Sequence, residues 1–109
     1  MLLSVNQDQS HSIISVEGEV DLSTSDQLDG AIIQTLAAGT SHLTVDLTKV
    51  AFLDSSGLGV IVKGLKRAKD ADVEFDAVIE NERVLKVFKL TGLDSVINIF
   101  STLDAVTAE

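Results

Sequence analysis

The chain has 109 residues, of which 45% are hydrophobic and none is cysteine, and this length predicts a single domain over residues 1–109. Seventeen acidic and eight basic residues give a net charge of -9, so we expect it to bind neither nucleic acid nor anionic membrane surfaces. It has no disulfide framework, and its N-terminus lacks the basic and apolar regions of a signal peptide, which predicts a cytoplasmic protein.

The first half of the chain predicts a hairpin, a helix and a strand. Apolar and polar residues alternate on both sides of residues 7–10, which predicts two strands joined by a turn. Ser23 and Asp26 resemble a capping box for a helix that Gly39 ends. The alternation over residues 43–53 then predicts a strand with one buried face.

The second half predicts two further strands and three helices. Residues 58–69 have the spacing of an amphipathic helix. Residues 73–79 alternate apolar and acidic side chains, which predicts a strand near a sheet edge with its acidic face in water. Asn81 and Gly92 are expected to start and end a third helix, before a short strand and a final helix.

This alternation of strands with single helices predicts the α/β class. We expect a mixed, mostly parallel sheet of about five strands with about four α-helices. The class would be α+β if all the helices pack on one face of the sheet.

The segment Asp-Ser-Ser-Gly-Leu-Gly at residues 54–59 joins a predicted strand to a predicted helix. A helix N-terminus presents unpaired N–H groups and a positive dipole end, so Ser55 in that position is suited to carry a phosphate. Gly57 and Gly59 lack side chains that would hinder the approach of another molecule. The alternative is that Ser55 or Ser56 only caps the helix, and Ser56 is the better candidate for that role.

Catalytic, metal and cofactor motifs are weak in this sequence. There is no P-loop, and Ser55 does not lie in a Gly-x-Ser-x-Gly motif. His11 and His42 are expected to be solvated, and without nearby paired carboxylates they make a poor metal site. The four phenylalanines are expected in the core, which leaves no base-stacking surface. We therefore expect neither an enzyme nor a bound cofactor or metal.

Three segments resemble one bacterial family. Residues 45–60, VDLTKVAFLDSSGLGV, resemble the signature of anti-sigma factor antagonists, which are stand-alone STAS domains. Residues 17–22 resemble the second strand and following loop of that family, and residues 81–93 resemble its third helix. The resemblance therefore extends over nearly the whole chain.

The resemblance implies a STAS fold and a partner-switching function. The expected partner is an anti-sigma factor that is itself an ATP-dependent serine kinase. The chain would compete with a sigma factor for this anti-sigma factor. The kinase would phosphorylate Ser55 and thereby end its binding to the chain, and a PP2C-type phosphatase would remove the phosphate and restore binding. The implied partner-binding residues are Asp21, Asp54, Ser55, Ser56, Gly57 and Gly59.

Other functions remain open at this stage. The chain could be a STAS-type component of a larger signalling assembly, or be related to the cytoplasmic domain of an anion transporter. A small hydrolase or phosphotransferase that uses Ser55 would need a base or phosphate cradle that the sequence does not reveal. Asp21 and Asp54 could also have purely structural roles instead of binding a partner. Asp21 would then be an ordinary loop carboxylate before a helix, and Asp54 would be an N-cap.

Overall fold

The computed structural model describes residues 1–107, in which strands and helices alternate after an initial hairpin. The strands are β1 (Leu2–Asp8), β2 (His11–Val20), β3 (His42–Leu53), β4 (Glu74–Val78) and β5 (Asn98–Phe100). The α-helices are α1 (Ser25–Ala37), α2 (Ser55–Asp70), α3 (Glu82–Thr91) and α4 (Leu103–Thr107), and a single 3-10 turn covers Leu93–Ser95.

All five strands form one sheet in the order β1-β2-β3-β4-β5. Strands β1 and β2 are antiparallel, whereas β2–β3, β3–β4 and β4–β5 are parallel. The expected mixed, mostly parallel sheet is confirmed, together with the opening hairpin. Because β2, β3 and β4 run in the same direction, their carboxyl ends meet at one edge of the sheet and their amino ends at the other.

The core forms where the helices pack on the sheet. Leu43, Val45 and Leu47 alternate along β3 and are fully buried, as period-two side-chain direction requires. Helix α2 lies close to this surface, since a Cβ at Gly64 would be 3.2 Å from the ring of Phe75. Among residues 1–107, no helix combines the length and hydropathy needed to cross a bilayer.

The ends of α3 are as expected, but the start of α1 is not. The Asn81 side chain accepts hydrogen bonds from the backbone at the start of α3, and Gly92 ends that helix with a φ of 79°. The Ser23–Asp26 capping box is wrong, because α1 begins at Ser25 after Thr24. Thr24 provides no side-chain cap, since its hydroxyl is bonded to the preceding loop.

The expectation that the whole acidic face of β4 lies in water is wrong. The strand lies next to the edge strand β5, near a sheet edge as expected, but Asp76 on its acidic face is only 1% exposed. The neighbouring strands supply the polar partners that allow this burial: the Thr44 hydroxyl and the His42 ring both contact the Asp76 carboxylate. A buried carboxylate with such partners avoids the free-energy penalty of an unpaired one.

Candidate functional site at the carboxyl ends of β2 and β3

Two neighbouring strands bring Asp21 and Asp54 to the same edge of the sheet. Val20, the last residue of β2, pairs with Leu53, the last residue of β3. The two aspartates directly follow these residues, and the Asp54 N–H donates to the Val20 carbonyl at 3.1 Å. They are close enough for the charge of Asp21 to oppose ionisation of Asp54.

Asp54 is the N-cap of α2. Its Oδ1 atom accepts hydrogen bonds from the N–H of Ser56 at 2.9 Å and of Gly57 at 3.2 Å, and from the Ser56 hydroxyl at 2.5 Å. These bonds, led by the Ser56 hydroxyl, lower the pKa of Asp54 because they stabilise its ionised form. The expectation that Ser56 caps the helix is therefore wrong, since Asp54 performs that role and Ser56 helps to hold it.

Because Asp54 occupies the N-cap, the start of α2 has less capacity to stabilise a phosphate than the sequence predicts. A bound phosphate would need free N–H groups in the first turn. Two of them are taken by the Asp54 carboxylate, and the Leu58 N–H donates to the Asp54 carbonyl at 2.9 Å. A phosphate added to this turn would therefore lie beside an existing anion.

Ser55 differs from Ser56 in having a free hydroxyl. It is the first residue of α2 and is exposed, and its hydroxyl makes no hydrogen bond within residues 1–107. Ser56 is half-buried, and its hydroxyl donates to Asp54. Of the two adjacent serines, Ser55 is the one that an approaching molecule can reach.

The two glycines of the motif have different surroundings. A Cβ at Gly57 would lie 2.7 Å from Val20 Cγ1 and 3.1 Å from Leu53 Cγ, whereas a Cβ at Gly59 would meet nothing within 4 Å. Gly57 therefore allows α2 to pack on the strand ends, and the expectation that it clears the way for another molecule is wrong. Gly59 does leave open space on the outer side of α2.

Hydrogen bonds organise the loop that carries Asp21. The Oδ1 atom of Asp21 accepts from the Ser23 N–H at 3.0 Å and the Ser23 hydroxyl at 2.7 Å. The Asp21 N–H donates to the Thr24 hydroxyl at 2.9 Å, which itself donates to the Glu19 carbonyl. The Ser23 hydroxyl is the main cause of the lowered pKa of Asp21. The carboxylate is thus held at a fixed place beside α2.

Two exposed apolar side chains at this edge were missed by the sequence analysis. Leu22, next to Asp21, is 81% exposed, and Phe52, just before Leu53, is 51% exposed. Phe52 lines a groove of about 290 Å³ with Arg83 of α3, so the expectation that every phenylalanine lies in the core is wrong. The useful signal was the position of each residue at the end of a strand, where the covering helix has not yet begun.

The two histidines lie at the other edge of the sheet. His11 and His42 begin β2 and β3, whereas Ser55 follows the end of β3, so neither ring is placed to act as a base for Ser55. The expectation that they are solvated and lack nearby paired carboxylates is wrong. The His42 side chain is 18% exposed and contacts both Glu74 and Asp76.

Comparisons with known proteins all indicate the same family. Residues 3–106 match the STAS domain family. Anti-sigma-F factor antagonist RsfB of Mycobacterium tuberculosis is 34% identical over 97 residues, or 88% of this chain and 79% of that protein. The crystal structure of an anti-sigma factor antagonist from Mycobacterium paratuberculosis has a TM-score of 0.89 at 31% identity, covering 98% of this chain and 92% of the other.

A more distant structure shares the fold. SpoIIAA of Bacillus in its phosphorylated form has a TM-score of 0.77 at 17% identity, covering 98% of both chains. The expected STAS fold is confirmed by these matches. The chain therefore belongs to the STAS family, in the group formed by the anti-sigma factor antagonists.

Proposed function

We propose that this chain is an anti-sigma factor antagonist that acts in the cytoplasm through its STAS domain. It binds an anti-sigma factor and so releases the sigma factor that the anti-sigma factor holds. It acts by binding and not by catalysis. The names of its relatives support this function, and so does the absence of a histidine near Ser55 among residues 1–107.

The binding surface in this proposal is the edge formed by the ends of β2 and β3 and the start of α2. It comprises Asp21, Asp54, Ser55, Ser56, Gly57 and Gly59, to which we add the exposed Leu22 and Phe52. Exposed apolar side chains beside fixed carboxylates provide both contact area and charge for recognition. Asp54, Ser56 and Gly57 act indirectly by fixing the first turn of α2, while Asp21 and Ser55 meet the partner.

The switch is phosphorylation of Ser55 by the partner, an ATP-dependent serine kinase, with removal of the phosphate by a PP2C-type phosphatase. The observation that carries this assignment is the free, exposed hydroxyl of Ser55 next to the engaged hydroxyl of Ser56. A phosphate adds about -1.5 to -2 charge beside the two ionised aspartates. A complex that buries this edge must then desolvate clustered negative charge, which opposes binding.

The phosphoacceptor is identified by incubating the protein with the anti-sigma factor and ATP and mapping phosphate by mass spectrometry. We expect phosphate on Ser55 in the wild type and in Ser56→Ala, and none in Ser55→Ala. Incubation with ATP alone should leave the protein unmodified, because the chain is a substrate and not a kinase. Phosphate on Ser56 or on a threonine, with Ser55 unmodified, would contradict the assignment.

A second experiment tests Asp21 as a binding residue. We expect Asp21→Asn to weaken binding of the anti-sigma factor by ~tenfold or more, because its charge is lost at the interface. Asp26→Asn is the matched control, since Asp26 is exposed on α1 and outside the proposed surface. Equal affinities of the two variants by calorimetry would remove Asp21 from the interface while leaving the Ser55 assignment intact.

A further inference from the structure

A second polar cluster lies at the amino ends of the parallel strands. His11, His42 and Glu74 begin β2, β3 and β4, and the parallel register pairs His11 with His42 and His42 with Glu74. Two residues further along β4, Asp76 points to the same face as Glu74. Three strands that are far apart in sequence thus bring imidazole and carboxylate groups together.

His42 lies between the two carboxylates. Its Nε2 is 2.7 Å from Asp76 Oδ2, and its Nδ1 is 3.3 Å from Glu74 Oε2. The Asp76 side chain is only 2% exposed, whereas the Glu74 side chain is 61% exposed and can change rotamer. One oxygen of each carboxylate and one nitrogen of His42 lie within 4.8 Å of one another.

A further layer of hydrogen bonds fixes the buried carboxylate. The Thr44 hydroxyl donates to Asp76 Oδ1 at 2.5 Å, so Oδ2 is directed towards His42. His11 Nε2 is 2.8 Å from the Thr44 oxygen. Because the Thr44 proton is used on Asp76, His11 must be the donor in that bond. The His11 ring also stacks on His42, with centroids 3.9 Å apart and planes at 5°.

We propose that His42, Glu74 and Asp76 bind a divalent transition-metal ion, with zinc the best match. One imidazole and two carboxylates form a donor set that zinc accepts, and carboxylates held by hydrogen bonds are the usual support for such ligands. Ligand atoms at ~2.0–2.2 Å in tetrahedral geometry are ~3.3–3.6 Å apart. Asp76 contacts Nε2 of His42 and Glu74 contacts Nδ1, so an ion bound to Nε2 requires Asp76 and His42 to separate slightly and the exposed Glu74 side chain to change rotamer towards Asp76.

Access and charge both favour a cation here. Asp8, His42 and Glu74 line an open cavity of about 440 Å³, which provides an entry path and space for a water ligand. A divalent ion bound between the two carboxylates would balance their negative charge, including that of the buried Asp76. The metal would join β3 to β4 at the edge opposite Ser55.

The test is calorimetric titration of the whole protein with zinc chloride in a non-chelating buffer. We expect one zinc ion per chain in the wild type, affinity at least ~10-fold weaker in Glu74→Gln, and no stoichiometric binding in His42→Gln. Thr44→Val, which removes only the hydroxyl that orients Asp76, should weaken binding by about 10–100-fold. Glu82→Gln is the matched control, because Glu82 is an exposed acid at the start of α3 and should bind zinc as the wild type does.

Folding of each variant is checked by circular dichroism. The Glu74 side chain is mostly exposed, so Glu74→Gln should fold normally and a loss of affinity in this variant can be assigned to the missing ligand. A second measurement locates the ion: the ring ¹⁵N signal of His42 should shift on zinc addition while the Asp21 and Ser55 amides stay unchanged. Absence of stoichiometric binding, or equal affinity in the wild type and Glu74→Gln, would overturn the proposal.

Discussion

The two edges of the sheet are built by different kinds of contact. At the carboxyl edge, Asp21 and Asp54 bind N–H and hydroxyl groups that lie two or three residues away. At the amino edge, His42 and Asp76 are bonded across strands, 34 residues apart in sequence. The carboxyl edge is therefore a pair of local turns with an exposed hydroxyl, whereas the amino edge depends on the register of three strands.

At the amino edge, we expect substitution of the buried Asp76 to reduce stability more than substitution of the exposed Glu74. Asp76→Ala removes the acceptor for the buried Thr44 hydroxyl and a partner of His42, and leaving a buried donor unsatisfied costs about 1–3 kcal/mol. Glu74→Gln, on the exposed side of the same cluster, should change the free energy of unfolding by less than ~0.5 kcal/mol. Urea unfolding in metal-free buffer measures both. Equal losses in the two variants would show that burial does not decide the effect.

The glycines of the motif provide a matched pair at the carboxyl edge. Gly57→Ala places a Cβ 2.7 Å from Val20 Cγ1, and overpacking of this kind typically costs about 1–3 kcal/mol. Gly59→Ala meets open space and should stabilise α2 by about 0.5–1 kcal/mol through the higher helix propensity of alanine. Thermal unfolding should therefore move in opposite directions for the two variants. Melting temperatures that shift in the same direction for both variants would contradict the different roles assigned to these glycines.

Removal of the N-cap should have a smaller effect. Asp54→Ala leaves the N–H groups of Ser56 and Gly57 without their carboxylate acceptor, and we expect the melting temperature to fall by a few degrees. Asp54→Asn should recover most of this loss, because an amide oxygen also accepts these bonds. A fall as large for Asn as for Ala would mean that charge, and not hydrogen bonding, holds the first turn of α2.

The pH dependence of stability should reveal the same aspartates. The folded-state pKa values of Asp21 and Asp54 lie below the ordinary value of 3.8, so the unfolded chain binds their protons more readily. Their contribution is present above pH ~4 and is lost as the pH falls through the folded pKa values. The double variant Asp21→Asn/Asp54→Asn should therefore lose less stability than the wild type between pH 5 and 3. An equal loss of stability in the double variant and the wild type over this pH range would contradict the contribution assigned to these aspartates.

The difference between local turns at the carboxyl edge and cross-strand contacts at the amino edge explains what could be predicted from the sequence. The opening hairpin, the mostly parallel sheet, the α3 cap at Asn81 and the exposed position of Ser55 follow from short patterns of polarity and turn residues. The environment of Gly57 could not be predicted from such patterns, because only the packed structure places Val20 against it. The contact between His42 and Asp76 could not be predicted either, since an acidic residue that alternates with apolar ones normally indicates a strand face exposed to solvent. Burial of Asp76 depends on which strand pairs on each side.

The measurement closest to the central claim compares the affinity of the anti-sigma factor for the unphosphorylated and Ser55-phosphorylated protein by calorimetry. Because the phosphate lies beside Asp54 on an exposed turn, we predict a loss of about a thousandfold in affinity, equivalent to about 4 kcal/mol. Amide NMR shifts should change only near Ser55, which would show that the fold is kept. Equal affinity of the two forms would contradict the account, and so would shift changes that extend to the His42 edge of the sheet.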